Sequence, residues 1–190
     1  MRMRIISGEL KGRLIKVPDS KLIRPTTDRV RETLFNLLNN RISFEGIKVL
    51  DLYAGSGALG FECLSRGASH VDFVEKNFVI YKNLLGNIES LNFTERCTIQ
   101  KMEAVKFTSL SKHSSYDLIL ADPPFFKDDI YLAVENILSY GFLADGSFII
   151  IERSIQTKGK DTEKFQIGPF KIIGDTCLYQ IEKRAKLKNK

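Results

Sequence analysis

No stretch of this chain approaches the ~18 consecutive apolar residues that a helical membrane crossing requires. The basic start Met1-Arg2-Met3-Arg4 leads into mixed residues and not into the apolar run of a secretion signal, so a cytoplasmic location is expected. Cysteine is scarce: Cys63, Cys97 and Cys177 lie far apart, which excludes a disulfide framework and leaves three thiols expected to be reduced and buried. His70 and His113 have no cysteine or second histidine at metal-ligand spacing, so zinc is not indicated and both read as surface or strand-end residues. Internal repeats and low-complexity tracts are also missing. What remains, over 190 residues, is one domain or a domain with a small appendage, long enough to bury a full core.

The net charge of +6 is unevenly spread. Residues 1–41 hold ten Lys/Arg against four Asp/Glu, and residues 183–190 hold five basic residues and no acid, while residues 42–182 carry a net −5. Basic ends therefore flank a mildly acidic body. Such clusters suit a phosphate backbone, where each contact releases counterions. The C-terminal cluster reads equally as a frayed, solvated tail; in the N-terminal segment the charges are interleaved with turn and strand residues.

From residue 47 onward, apolar strand-like runs alternate with helical patterns, the signature of parallel βαβ units. Strands are expected at 47–52, 70–75, 96–101, 116–121 and 147–152, and helices at 57–66, 78–91, 103–111 and 129–140. Residues 154–164 read as a polar loop, and 165–173 and 176–182 as a hairpin closed by Gly174-Asp175. One antiparallel strand in an otherwise parallel sheet follows. Ahead of this, Arg4–Ser7 and Arg13–Val17 flank Gly8 and Gly12 as a small hairpin. An amphipathic helix then presents Val30, Leu34, Leu37 and Leu38 on one face, with Asp28 as its expected N-cap.

The segment Asp51-Leu52-Tyr53-Ala54-Gly55-Ser56-Gly57 joins the first of these strands to its helix. Gly55 and Gly57 permit close backbone approach, and the helix start beyond them offers N–H groups. Glu75, 20 residues after Gly55, ends the second strand at the spacing that reaches ribose hydroxyls. Gly55, Gly57 and Gly60 fit the register of dinucleotide sites, yet Asp51 ahead of them would repel a pyrophosphate. It suits a cofactor with an amino group and a sulfonium, and S-adenosylmethionine has both.

Asp122-Pro123-Pro124-Phe125 stands where the strand Tyr116–Ala121 runs out. Two prolines fix successive φ angles and remove two N–H donors, so local carbonyls face outward. Asp122 and the Pro123 carbonyl can accept both hydrogens of an exocyclic amine while Phe125 stacks on the base; the bare alternative is a strand-ending turn. In a doubly wound sheet this loop and the glycine loop share the crevice at the switch point. Methyl transfer from a sulfonium needs alignment and desolvation, and neither a metal nor a covalent nucleophile.

Through these two loops the chain resembles the amino-group methyltransferases of the class I, S-adenosylmethionine-dependent fold. The N-terminal segments Arg4–Gly8, Lys11–Arg13, Val17–Ser20 and Arg24–Asn36 look like the bacterial family that methylates the exocyclic N2 of one guanine in small-subunit (16S) ribosomal RNA. The resemblance spans nearly the whole chain, with Ser7 where glycine is common and a tail, Arg184–Lys190, that matches no family motif. It implies an α/β, Rossmann-like fold: a seven-stranded, mostly parallel sheet in order 3-2-1-4-5-7-6 with the last strand antiparallel, helices on both faces, and a small N-terminal hairpin and helix. It divides the chain into a basic RNA-binding extension (1–41), a methyltransferase domain (42–183) and a basic tail (184–190).

By the same resemblance Asp51, Tyr53, Gly55, Gly57, Glu75, Lys76, Glu103 and Ala104 contact the cofactor, with Glu103 or Ala104 near its adenine. Asp122, Pro123, Pro124 and Phe125 hold a guanine flipped out of its stack. Arg4, Lys11, Arg13, Arg24, Thr26, Thr27, Arg29 and Arg31 are the RNA-binding candidates, although Arg31 and Glu32 also suit a helix-face ion pair. The expected partner of a monomeric, metal-free protein is 16S rRNA within a small-subunit assembly particle. Three rivals compete: a DNA adenine-N6 methyltransferase, for whose target-recognition domain there is no room; a protein-glutamine methyltransferase, which the basic arm disfavours; and a non-catalytic RNA-binding module.

Overall fold

The computed structural model describes residues 2–18, 27–124 and 127–183. Its centre is a seven-stranded sheet of β3 (Lys48–Leu52), β4 (His70–Val74), β5 (Cys97–Gln100), β6 (Tyr116–Ala121), β7 (Leu143–Ser154), β8 (Lys171–Ile173) and β9 (Thr176–Glu182). The spatial order is β5-β4-β3-β6-β7-β9-β8. Counted from β3 this is the expected 3-2-1-4-5-7-6. β9 runs antiparallel to both β7 and β8, and the other pairings are parallel.

Successive side chains of a strand point to opposite faces, so a central strand covered on both sides must be apolar throughout. In β6, Leu118 and Leu120 enter one core while Ile119 and Ala121 enter the other. β3 divides in the same way, with Val49 on one face and Leu50 and Leu52 on the other. On the first face lie α2 (Ala58–Ser65) and α3 (Phe78–Leu91), and with them the N-terminal segment: β1 (Arg2–Arg4), β2 (Leu14–Lys16) and α1 (Asp28–Asn39). α4 (Ala104–Thr108) and α5 (Asp129–Tyr140) contribute to the second face.

The N-terminal segment is joined to α2 and α3 by polar contacts as well as by its apolar side chains. Glu62, the one charged residue of α2, is fully buried. Its carboxylate accepts hydrogen bonds from the Ile6 and Ser7 N–H groups at 2.7 and 3.0 Å and pairs with Arg66 at 2.7 Å. Gly8 has φ +84°, and a Cβ there would lie 1.7 Å from the Ser65 carbonyl oxygen, so the turn approaches α2 only as glycine. Asn87 of α3 accepts from the Lys16 N–H and donates to the Lys16 and Ser56 carbonyls.

Several boundaries differ from expectation. The hairpin pairs Arg2–Arg4 with Leu14–Lys16, because the N–H groups of Ile6, Ser7 and Glu9 bond to α2 instead of to a partner strand. Thr27, and not Asp28, caps α1: its hydroxyl accepts from the Val30 N–H. β7 is twice the expected length. The polar stretch read as a loop contains α6 (Lys158–Phe165), and the strand expected at 165–173 shrinks to β8. α6 has no apolar stripe; its Asp161 is buried against Arg153 of β7 at 3.1 Å, a tertiary contact that local sequence does not reveal.

Candidate active site

β3 is hydrogen-bonded to β4 on one side and β6 on the other, with Leu52 opposite Val74 and Ala121. The residues that follow these strands therefore converge at one carboxyl edge, where the sheet order reverses and ligands of open α/β sheets bind. A cavity of about 590 Å³ lies there, lined by Asp51, Tyr53, Gly55, Glu75, Lys76, Glu103, Ala104, Asp122, Pro123 and Pro124 among others. Its size is within the usual range for small-molecule sites.

The floor is Asp51, 1% exposed. Its Oδ2 accepts from the Gly60 N–H at 2.9 Å, and among the described residues it has no ion pair. Burial pushes its carboxyl up to about 8; the Gly60 N–H works against this rise, and the charges of Asp122 and Glu75 add to it. A buried carboxyl in this state gains by meeting a cation. Glu75 braces the loop above it: Oε2 accepts from the Gly55 N–H at 3.1 Å and Oε1 from the Asn77 N–H at 2.7 Å. Gly55 has φ +55°, and a Cβ there would meet only the Tyr53 carbonyl oxygen, at 3.9 Å, so this side of the loop is open.

Gly57 is placed differently. It does not line the cavity; a Cβ there would lie 2.5 Å from Leu84 and Phe61, and its φ is +82°. Its smallness lets the N-terminus of α2 pack on α3 rather than letting a ligand approach. Tyr53 takes φ +73° and directs its hydroxyl to Asp129 at 3.2 Å. Burial, with Asp129 next to it, raises the Tyr53 phenol above its ordinary range. Glu103 precedes α4, is largely exposed and pairs with Lys76 at 3.6 Å; Ala104 is buried behind it.

The Asp122-Pro123-Pro124 loop leaves β6 at Asp122. The Pro124 carbonyl accepts from the Lys127 N–H at 3.0 Å. Phe125 lies outside the described residues. Beneath the far end of the loop is a network that the sequence did not announce: Arg153 Nε donates to Asp161, Arg153 Nη1 to the Lys127 carbonyl, and Tyr131 and Thr157 hydroxyls to Asp161. The cavity also reaches Glu152 and Ser154 at the carboxyl end of β7. The position of Glu152 at the end of an expected strand was the available signal for it.

The candidate RNA contacts divide into four groups. Lys11 and Arg29 are exposed, Arg4 is exposed with Asp28 at 3.6 Å, and Arg13 reaches the Ser90 carbonyl at 3.0 Å. Thr27 caps α1 and lines the cavity, whereas Arg24 and Thr26 lie outside the described residues. Arg31 is a correction: it is fully buried, and its guanidinium donates to the Arg4 carbonyl at 2.9 Å and to Asp28 at 2.7 Å. It holds β1 to α1 and cannot meet a phosphate there. The helix-face pair that forms is with Asp28, not Glu32.

Comparison with known proteins gives concordant results. The family described as Conserved hypothetical protein 95 matches residues 3–182. Ribosomal RNA small subunit methyltransferase D of Escherichia coli is 36% identical over 155 residues, covering 82% of this chain and 76% of the relative. The candidate rRNA methyltransferase YlbH of Bacillus subtilis is 33% identical over 162 residues, covering 84% and 87%. Among solved structures, the candidate methyltransferase yhhF from Escherichia coli superposes with a TM-score of 0.80 at 31% identity, over 97% of this chain and all of that one.

Proposed function

The chain belongs to the Conserved hypothetical protein 95 family, alongside Ribosomal RNA small subunit methyltransferase D, and from this premise we propose that it transfers a methyl group from S-adenosylmethionine to the exocyclic N2 amine of a guanine in small-subunit ribosomal RNA. The observation that carries this reading is the single cavity onto which both the Asp51–Gly55 loop and the Asp122–Pro124 loop open. A cation-seeking floor and an amine-accepting wall share one space.

S-adenosylmethionine would supply an activated methyl group on a sulfonium. Asp51 is the residue suited to its positive charge, since it is a buried carboxyl without an ion pair among the described residues. Glu75, with its oxygens already fixed by two backbone N–H groups, retains lone pairs for ribose hydroxyls. Glu103 and Ala104 border the space assigned to adenine. Asp122 and the Pro123 carbonyl accept the two N2 hydrogens, which favours a more tetrahedral nitrogen with its lone pair directed at the methyl carbon. The N2 nitrogen would take the methyl group with its lone pair, and Asp122 or water would accept the surplus N2 proton. This is catalysis by alignment.

Asp122→Ala tests the amine-holding role. Transfer to 16S rRNA is expected to fall by about 10²-fold or more, as for loss of a positioned acid–base group, while calorimetric affinity for S-adenosylmethionine stays within about twofold. Undiminished transfer in this variant would remove Asp122 from the proposal.

A further inference from the structure

The basic N-terminal segment does not account for all of the positive charge around the cleft. A second depression adjoins the main cavity, sharing Lys76, Asn77, Met102 and Glu103 with it and adding Lys101 and Lys106. These residues follow β4 and β5 or belong to α4, and β5 is an edge strand of the sheet. Lys127, just beyond the acceptor loop, lines the same cavity mouth. Among the described residues Lys82, Lys101, Lys106 and Lys127 form no ion pair. The acids near them include Glu103, held by Lys76 at 3.6 Å, Asp128, held by Lys160, Asp129, engaged by the Tyr53 hydroxyl, Glu75, which braces the glycine loop, and Asp122, on the same cavity wall as Lys127.

An exposed aromatic ring lies within this group. Phe78, the first residue of α3, is 50% exposed. The ammonium groups of Lys82 and Lys101 stand 4.8 and 4.7 Å from its ring centre. A ring left half in water, with flexible cations against it, has the components of a single-strand platform: a face for a base and charges free to swing onto flanking phosphates. A hydrogen bond from the Lys76 ammonium, then desolvation and then repulsion by the same ammonium, hold Lys127 below the ordinary lysine range, and an anion placed there would relieve the repulsion.

We propose that this rim is a second RNA contact, in which Lys76, Lys101, Lys106 and Lys127 take backbone phosphates of the unpaired segment carrying the target nucleotide and Phe78 stacks on one of its bases. The inference rests on the function proposed above and adds to it. A flipped target splays its neighbours, and unstacked neighbours need both a charge track and an aromatic face. The N-terminal segment would then hold one part of the RNA and this rim another.

The test uses the full chain, a short fluorescent single-stranded RNA of mixed sequence, and 16S rRNA as methyl acceptor. Lys101→Gln with Lys106→Gln should lower the slope of log affinity against log salt by about 1.4, or about 0.7 per phosphate. The same variant should raise KM for rRNA with kcat and S-adenosylmethionine affinity unchanged. Phe78→Ala should weaken RNA binding about tenfold with the slope intact, and Phe78→Tyr and the Lys→Arg pair should restore wild-type behaviour. If the wild-type protein binds and methylates rRNA but these variants leave slope and KM unchanged, the rim is not an RNA contact. An effect seen with assembly particles but not with naked RNA would replace RNA by an acidic protein surface and overturn the proposal. A wild-type protein that neither binds nor methylates rRNA would overturn the functional reading itself, and the rim with it.

Discussion

Two buried carboxyl groups, Glu62 and Asp51, lie on adjoining elements and are treated in opposite ways. Glu62 on α2 has every attraction a carboxylate can use: two backbone N–H groups from the N-terminal segment and the Arg66 guanidinium. Asp51 on β3 has one backbone N–H, no ion pair among the described residues, and the carboxyl groups of Asp122 and Glu75 as neighbours. A satisfied buried charge fixes structure, whereas one left short of partners holds a place for a ligand. Both are single acids in apolar surroundings, and what separates them in the sequence is the glycine loop that follows Asp51.

Breaking the satisfied group should have the largest effect. Glu62→Ala leaves Arg66 and two N–H groups without their partner, and should destabilise the fold by about 3–5 kcal/mol in urea unfolding. It should also release the N-terminal segment, seen as faster amide exchange at Ile6 and Ser7. A loss below about 1 kcal/mol would show that the apolar side chains alone dock the segment.

Asp51→Asn should do the reverse, sparing the fold and damaging the site. Loss of a charge-assisted contact worth about 1.5–3 kcal/mol corresponds to roughly a 10- to 100-fold fall in S-adenosylmethionine affinity. Unaltered affinity in calorimetry would move the cationic part of the cofactor elsewhere. The third expectation is smaller and concerns pH. Folded Asp51 keeps its proton to about pH 8 against an ordinary value of 3.8, so between these values the folded state binds more protons than the unfolded state. Stability from this group is therefore complete below about pH 4 and declines as pH rises toward 8, by at most about 1.4 kcal/mol per unit. Asp51→Asn should flatten that decline. Cofactor binding below pH 8 should likewise release up to one proton, measured by calorimetry in buffers of different ionisation enthalpy, and zero release would contradict the account.

The sheet and the edge of the site were legible because their signals are local: continuous apolar runs, a glycine loop, an acid at a strand end and a proline pair after another strand. The tertiary ones were not. Arg31 reads as a surface charge on an amphipathic helix, yet it is buried, with its Nη2 donating to the carbonyl of Arg4 and the carboxylate of Asp28. α6 carries no apolar periodicity, and its Asp161 is buried against Arg153. Gly57 reads as part of a cofactor cradle, but its neighbours Leu84 and Phe61 come from α3 and α2. One signal was present and unused: Glu62 is the only charged residue in the eight of α2, and a lone charge on a helix that is apolar all round requires a buried partner.

Nucleoside mass spectrometry of 16S rRNA tests most directly the proposed methylation of guanine N2 in small-subunit ribosomal RNA. Cells lacking the protein are expected to lose one N2-methylguanosine, which returns when the wild-type chain is supplied and not when Asp122→Ala is supplied. An unchanged nucleoside profile, or a loss confined to N6-methyladenosine, would contradict the account.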